Sequence, residues 1–344
     1  FAFSIVIFVH EFGHFIIGRM NKIGVLVFSI GFGPKIFSFH DKRGTEWKIS
    51  AIPLGGYVKF FGDENPASIN ISQAISSRNF SSKSFEDASV FSRFLTVAAG
   101  PFFNFLFSIA TFSIIILVNG VASNSPIIGK VNQFYQERYD LRPGDKILKV
   151  ENRDILNFGD IFNELSKNEK SLNNFLIERD SLKKEIVLPY IFQPVVRGIE
   201  PLSAAARANL KVGDVFLSVN GERLNRFSDL RNFVVNSEGR ELKLLIFREN
   251  REIQKIIQPT LTPFEEKNGK FSEKYRIGII GGPIFQPERS TPSISEALRM
   301  GSTAVLSVFT GTIKGIRAMI LGEVNPKYLT GPIGVAHAVS DSVK

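Results

Sequence analysis

The sequence predicts a mixed membrane protein with an α-helical transmembrane core, a β-hairpin and two tandem, β-rich α+β domains. Three observations lead to this fold class. Two apolar runs, at 1–20 and 93–120, are long enough to cross a bilayer. The segment between them has β-branched and aromatic runs broken by glycines, and an internal repeat fills the middle of the chain.

Composition excludes several classes of protein. A chain of 344 residues exceeds one ordinary core, and the absence of Cys excludes disulfides and thiolate metal sites. The net charge of +9 could indicate nucleic acid, but the basic residues are scattered and no basic helix or aromatic RNA-binding signature is present. We therefore expect membrane lipid as the acidic partner, and no nucleic acid.

The first transmembrane helix is predicted over 1–20. Up to Gly18 its only ionisable residues are His10, Glu11 and His14, and about 20 apolar residues suffice to cross a bilayer. A buried helix of a soluble protein is the alternative. Since Phe1 already lies within the apolar run, we expect a chain truncated at this end, and the C-terminal DSVK suggests the same for the other end.

Residues 21–92 are predicted to be a cytoplasmic loop with a β-hairpin. Ten Lys or Arg residues lie between 19 and 93, which by the positive-inside rule places this segment in the cytoplasm. The stretches GFGP and TEWKISAIPLGGYVKFFGD predict the hairpin, for which a packing role alone is an open alternative. The second span, 93–120, has no charge between Arg93 and Lys130, and residues beyond it are expected outside.

The repeat predicts one domain over 123–192 and a second over 193–261. LRPGDKILKVENRDILNFGDI, which starts at Leu141, aligns without gaps on LKVGDVFLSVNGERLNRFSDL, which starts at Leu210. Each copy reads as a Gly-Asp turn, a short apolar strand, a second turn and a helix.

Residues 262–344 are predicted to be a connector followed by an amphipathic surface helix. The uncharged stretch between Arg299 and Lys314 is too short to cross the hydrocarbon of a bilayer. A poor transmembrane helix is the alternative.

The motif HEFGH predicts a metal site in the first helix. Residues four apart share one face of a helix, so His10 and His14 can present two imidazole nitrogens to one ion. Glu11 lies beside that face, where it can act as general base. Neutral imidazole ligands and hydrolytic chemistry favour Zn²⁺. The third ligand is not obvious, because His40 and His337 are interpreted as ordinary histidines.

The motifs HEFGH, GFGP, PLGGYVK and AAGPFFNF, followed by the two Gly-Asp repeats, occur in that order over essentially the whole chain. Together they resemble the site-2 protease family of intramembrane zinc metalloproteases. The branch they are most similar to is the bacterial regulator-of-sigma-E proteases, which carry two PDZ domains.

The resemblance implies roles for individual residues. His10 and His14 would be zinc ligands and Glu11 the catalytic base. The third ligand would be an Asp of an LDG motif on a later helix, outside these residues. Gly55, Gly56, Tyr57 and Val58 match a re-entrant β-hairpin that receives the substrate as an added strand.

Asn104 follows Pro101, which interrupts the hydrogen-bond ladder of the second span. We predict that it contacts the substrate, and a helix-packing role is the alternative.

The function implied is hydrolysis of a single-pass membrane protein, such as an anti-sigma factor or a remnant signal peptide, in regulated intramembrane proteolysis. The protein would be multi-pass in the bacterial inner membrane, with PDZ domains on the extracytoplasmic side that bind extended peptides and act as a size filter. A membrane-tethered PDZ scaffold without protease activity is the alternative. A transporter would need more spans and paired broken helices.

Overall fold

The computed structural model describes residues 2–63, 83–167, 170–266 and 271–326. Contacts between Cα atoms divide the chain into two compact units. The first comprises Phe1–Leu117 and Ser293–Ser307, and the second comprises Val118–Pro292 and Val308–Lys344.

In the first unit, helix α1 (Ala2–Met20) packs an aromatic face on a hairpin formed by β1 (Val25–His40) and β2 (Glu46–Phe60). The ring centroid of Phe15 lies 4.8 Å from that of Trp47 and 5.5 Å from that of Phe28. This aromatic contact fixes the helix on the sheet.

The turn of the hairpin is tied to the end of α1 by a polar network. Arg19 pairs with Asp41, which also accepts a hydrogen bond from Trp47 Nε1 at 3.1 Å. Burial raises the pKa of Asp41, but the hydrogen bonds from Trp47 and Arg19 outweigh it, so the pKa lies below its usual value. The carboxylate therefore stays ionised at neutral pH and holds the hairpin to the helix.

Both long strands of the hairpin bend back, so that they form four paired segments. Residues 25–30 pair with 56–60 on one side and with 46–49 on the other, while 35–40 pair with 46–50. Gly31 and Gly33 adopt positive φ angles of 89° and 83° at the bend of β1, which side chains other than glycine rarely adopt. The GFGP stretch thus folds the first strand onto its neighbour.

Helix α2 (Val90–Asn119) is 30 residues long and contains Pro101. Both α1 and α2 are long and apolar enough to cross a membrane.

The second unit contains the two copies of the repeat, preceded by β3 (Val121–Ala122). The first copy consists of β4 (Ile128–Val131), α3 (Gln133–Tyr139), β5 (Lys146–Val150), β6 (Arg153–Asp154), α4 (Phe158–Lys167), β7 (Leu172–Arg179) and β8 (Leu182–Pro189). The second copy consists of β9 (Val196–Ile199), α5 (Ala204–Arg207), β10 (Val215–Val219), β11 (Glu222–Arg223), α6 (Phe227–Asn236), β12 (Leu242–Arg248) and β13 (Arg251–Ile257).

The two copies have the same topology. Their four-stranded sheets have the orders β6-β5-β7-β8 and β11-β10-β12-β13. The bounds of α4 and α6 are separated by the same offset as those of β5 and β10, and this is the offset between Leu141 and Leu210 in the sequence alignment. The repeat found in the sequence is therefore the repeat of the structure.

Both copies are completed by strands that follow the second one. After the hairpin of β14 (Thr260–Glu265) and β15 (Phe271–Arg276) come β16 (Ile279–Gly281), β17 (Phe285–Pro287) and β18 (Arg289–Ser290). Strand β16 pairs with β9, β17 with β4, and β18 with β3.

This arrangement differs from the sequence prediction of a connector beginning at 262. Because β17 completes the first copy, the second copy is nested within the first rather than simply following it. Such short strands carry too little sequence pattern to be recognised without their partners.

The last described helix, α7 (Ile294–Ile320), has 27 residues and is long and apolar enough to cross a membrane. It was predicted to lie on the membrane surface because Arg299 and Lys314 bracket only a short uncharged stretch. Each of these charges lies within two turns of a helix end, from where long basic side chains can reach the interface. By length and composition, α7 can therefore cross a membrane, which the sequence prediction treated as the alternative.

Candidate metal and catalytic site

Helix α1 presents His10, Glu11 and His14 near its middle. The imidazole ring centroids of His10 and His14 lie 4.8 Å apart with an interplanar angle of 81°. The i, i+4 spacing thus brings the two rings together on one face, as the motif predicts.

Helix α2 crosses α1 closely at this point. A Cβ atom added to Gly13 would lie 2.6 Å from the carbonyl oxygen of Ala99 and 3.0 Å from Cβ of Phe103. The small residues at the crossing therefore allow the two backbones to approach.

Gly100 of α2 leaves a space that both imidazoles face. A Cβ atom at position 100 would lie 2.7 Å from His10 Nε2 and would clash with His14 Nε2. The two Nε2 atoms therefore converge on the same small volume. Two imidazole nitrogens converging on one space form a donor set that suits Zn²⁺, so these residues fit the metal implied by the motif.

No third ligand lies near this pair in the part of the chain that the structure describes. Within the described ranges, no group of three His, Asp or Glu residues is placed to hold a metal ion. His40 is exposed at the end of β1, and His337 lies outside the described residues.

The other nitrogen of each imidazole contacts α2. Nδ1 of His14 lies 2.8 Å from the carbonyl oxygen of Thr96, and Nδ1 of His10 lies 3.2 Å from Nδ2 of Asn104. Thr96, Gly100 and Asn104 are spaced by four residues and so line one face of α2. This face holds both rings in place.

The hairpin reaches the site through Gly56 and Val58. A Cβ atom at Gly56 would lie 3.2 Å from Cγ of Glu11 and 2.8 Å from the carbonyl oxygen of Ser29. The backbone amide of Val58 interacts with the Glu11 carboxylate. A side chain at position 56 would therefore clash with the backbone of the neighbouring strand at Ser29.

A cavity of about 360 Å³ opens beside Glu11 and His14. Tyr57 and Val58 of the hairpin and Thr96 of α2 line it, together with Phe60, Asp63, Phe85 and Val97. The candidate base thus borders an open cavity.

The structure separates the residues that the sequence grouped at the hairpin. Gly56, Tyr57 and Val58 lie at the site, whereas Gly55 has a φ angle of 147° and packs against the ring of Phe32. Gly55 therefore shapes the bend of β2.

Asn104 contacts His10, which the sequence did not predict. Sequence reasoning also missed Thr96 and Gly100. The available signal was that Thr96, Gly100 and Asn104 are spaced by four residues on an apolar helix. This spacing identifies no role until the partner helix is known.

The whole chain, residues 1–344, matches the family model described as Peptidase family M50. A protein of Agrobacterium fabrum whose name describes it as a zinc metalloprotease is 31% identical over 341 residues, which is 97% of this chain and 72% of the relative. A protein of Rhizobium meliloti with the same description is 35% identical over 349 residues, covering 100% of this chain and 75% of the relative.

A solved PDZ domain of an SdrC-like protein from Listeria monocytogenes aligns with 26% of this chain and 87% of that domain. The identity is 19% and the TM-score 0.22, a likeness too low to support an inference.

Proposed function

The chain belongs to peptidase family M50, and from that premise we propose that it is a membrane-embedded zinc metalloprotease that hydrolyses a peptide bond within a membrane-spanning substrate. One observation carries the proposal. The Nε2 atoms of His10 and His14 converge on the space left by Gly100, and Glu11 lines the same cavity as His14.

His10 and His14 would hold Zn²⁺ through Nε2, and the ion would supply Lewis-acid polarisation of the scissile carbonyl and a lowered pKa of the attacking water. Glu11 lies on the cavity and can accept the proton of that water. The same carboxyl group can then pass the proton to the amine that leaves when the peptide bond breaks.

The hairpin would hold the substrate in extended form. A peptide bond inside a helix is shielded, so the substrate must unwind before it can react, and pairing with a strand satisfies its backbone groups. In the described part of the chain, residues 56–60 pair on one side, with 25–30. Their approach to Glu11 at Gly56 supports this segment as the pairing strand, in a hairpin that re-enters the membrane.

The two copies would be PDZ-like domains that bind extended peptides on the extracytoplasmic side of a bacterial inner membrane. Each combines a four-stranded sheet with a helix and a closing strand. As a size filter, they would admit single-pass proteins already shortened by another protease, of the anti-sigma factor or remnant signal peptide type, in regulated intramembrane proteolysis.

Replacing Glu11 by Gln tests the assignment of the base. The amide keeps the shape of the side chain but cannot accept the proton. In the intact protein, E11Q should lower cleavage of a single-pass membrane substrate by about 10²-fold or more, while zinc content, measured by elemental analysis, stays at the wild-type level. Glu86→Gln, at an exposed carboxylate of the same unit, serves as the control and should cleave normally.

Retained cleavage by E11Q would remove Glu11 as the base. Wild-type protein that purifies without zinc, and gains no activity when zinc is added, would contradict the protease proposal as a whole.

A PDZ scaffold without protease activity is the second candidate. It is favoured by a cavity of about 700 Å³ beside α6 in the second copy, a volume within the range of ligand-binding pockets. A scaffold would bind peptides equally well with His10 replaced by Ala, and it would contain no stoichiometric zinc.

A further inference from the structure

Asn104 makes a contact that the proposed reaction does not explain. Its Nδ2 atom lies 3.2 Å from His10 Nδ1. Its Oδ1 atom is buried and has no hydrogen-bond partner among the described residues. A buried amide oxygen without a donor loses a hydrogen bond that it would make in water, at a cost in stability.

The two orientations of this amide have opposite consequences for His10. If Nδ2 faces the ring, it donates to Nδ1, so the imidazole proton must sit on Nε2. That proton would occupy the lone pair needed for a metal ion. If Oδ1 faces the ring, it accepts from Nδ1–H and leaves Nε2 unprotonated.

The second orientation is reached by turning the amide through half a turn about its last bond, which leaves its shape unchanged. Oδ1 then has Nδ1–H of His10 as its donor, and Nδ2 takes the buried position that Oδ1 held. Only this orientation is compatible with Nε2 of His10 offering a lone pair to the volume that it shares with Nε2 of His14.

The contact of the neighbouring ring follows the same rule. Nδ1 of His14 faces the carbonyl oxygen of Thr96 at 2.8 Å, an atom that can only accept. His14 must therefore carry its proton on Nδ1 to make this bond, which leaves its Nε2 free. Helix α2 thus offers His14 an acceptor through the backbone carbonyl of Thr96. It can offer His10 an acceptor through the side chain of Asn104.

We propose that Asn104 is a positioning residue whose side-chain oxygen accepts a hydrogen bond from Nδ1–H of His10 and thereby keeps Nε2 of His10 available to a metal ion. The inference rests on the proposed zinc site. It gives Asn104 a role in metal binding in place of the predicted contact with substrate.

The test measures zinc affinity of the intact protein in detergent, by competition with a chelator, for four variants. Asn104→Leu removes the acceptor and should weaken binding about 10- to 100-fold, as is typical when a hydrogen-bond partner of a ligating His is lost. Asn104→Asp keeps an oxygen acceptor and should stay within about threefold of wild type. Thr111→Val, which removes an exposed hydroxyl of α2 that donates to the carbonyl oxygen of Phe107 in the same helix, should bind like wild type, and His10→Ala marks the loss of a ligand.

A nitrogen NMR spectrum of histidine-labelled, zinc-loaded protein gives a second readout. Nδ1 of His10 should carry a proton in wild type and in N104D. An imidazole protonated on Nε2 would overturn the inference.

The zinc affinities distinguish a failure of this inference from a failure of the proposed function. If wild type binds zinc and N104L binds it equally well, Asn104 does not position His10 and only this inference fails. If N104L and N104D weaken binding alike, the amide nitrogen is the required group, which also overturns it. If wild type binds no zinc, the proposed function fails and this inference with it.

Discussion

The two copies of the second unit share a buried ion pair at equivalent positions. Arg179 Nε donates to Asp145 Oδ1 at 2.7 Å, and Arg248 Nε donates to Asp214 Oδ1 at 2.6 Å. Both aspartates are only 1% exposed. The Gly-Asp signature that reveals the repeat in the sequence therefore stabilises the fold of each copy and does not form a binding site.

The copies differ where the closing strand meets the helix. In the first copy Phe285 is fully buried, with its ring centroid 5.9 Å from that of Phe158. In the second copy the closing strand has Gly281, at which any Cβ would clash with the ring of Phe227. The cavity of about 700 Å³ lies beside α6 and is also lined by the β14–β15 hairpin. The closing strand of the first copy thus packs a fully buried Phe against α4, whereas in the second copy an open cavity lies beside α6.

Replacing Phe285 by Ala should have the largest effect, because it removes a fully buried side chain between the closing strand and α4. Truncating a fully buried Phe costs about 3–5 kcal/mol, so the opening free energy of the first copy should fall by that amount. Hydrogen exchange of the amides in β4 and β17 measures it.

Ile280→Ala is the matched control for that change, since Ile280 lies on the closing strand of the second copy and is 55% exposed. It should alter exchange little. Equal losses for the two variants would mean that the closing strands are packed alike, and the contrast between the two copies would be wrong.

Asp214→Asn should have the next largest effect, and a larger one than Asp145→Asn. Within the described residues, the ion pair of Arg248 is with Asp214, so removing the charge leaves a nearly buried guanidinium unpaired, at a cost of about 3 kcal/mol. Arg179 keeps a second carboxylate, Asp140, at 3.1 Å. Hydrogen exchange of β10 and β12, compared with β5 and β7, checks the difference.

The control for the ion pairs is Asp154→Asn, at a side chain that is 74% exposed and pairs with Lys149 at 3.2 Å. It should change stability by less than about 1 kcal/mol. A cost for D145N equal to that for D214N would show that Asp140 does not substitute for Asp145.

The sequence predicts those parts of the fold whose pattern is local. The constant offset between the two repeats gives the matching bounds of α4 and α6, and the apolar runs give α1 and α2. It does not reveal β16 and β17, because these short strands are defined by partners in distant parts of the chain, β9 and β4. Nesting of the copies is therefore visible only in three dimensions.

At the site, the sequence identifies the groups that carry chemistry but not those that position them. His10, Glu11 and His14 stand in one motif on one helix. Gly100 leaves space for both imidazoles because it has no side chain, and Thr96 contacts His14 through its backbone carbonyl oxygen. Neither feature can be recognised from the residue type in the sequence. Their roles follow only from how closely α2 crosses α1.

The smallest predicted effect concerns Asp140, whose equivalent in the second copy is Asn209. A hydrogen bond from Lys184, together with Arg179, holds the pKa of Asp140 below its usual range despite some burial. A lowered pKa in the folded state adds stability above the unfolded pKa of about 4, and this is lost as the pH falls below it. Since the side chain is 41% exposed, Asp140→Asn should cost less than about 1 kcal/mol at pH 7.

At pH 3 the same substitution should cost less still, since the wild-type carboxyl group then contributes only part of that stability. The second copy, where Asn209 cannot titrate, is the internal control, and its exchange should not respond to D140N at either pH. Exchange of β7 and β8, corrected for the intrinsic rate at each pH, provides the comparison. An effect of D140N that is equal at pH 3 and pH 7 would show that the carboxylate charge adds nothing to the stability of the first copy. The additional ion pairs of Asp140 would then not make the first copy different from the second.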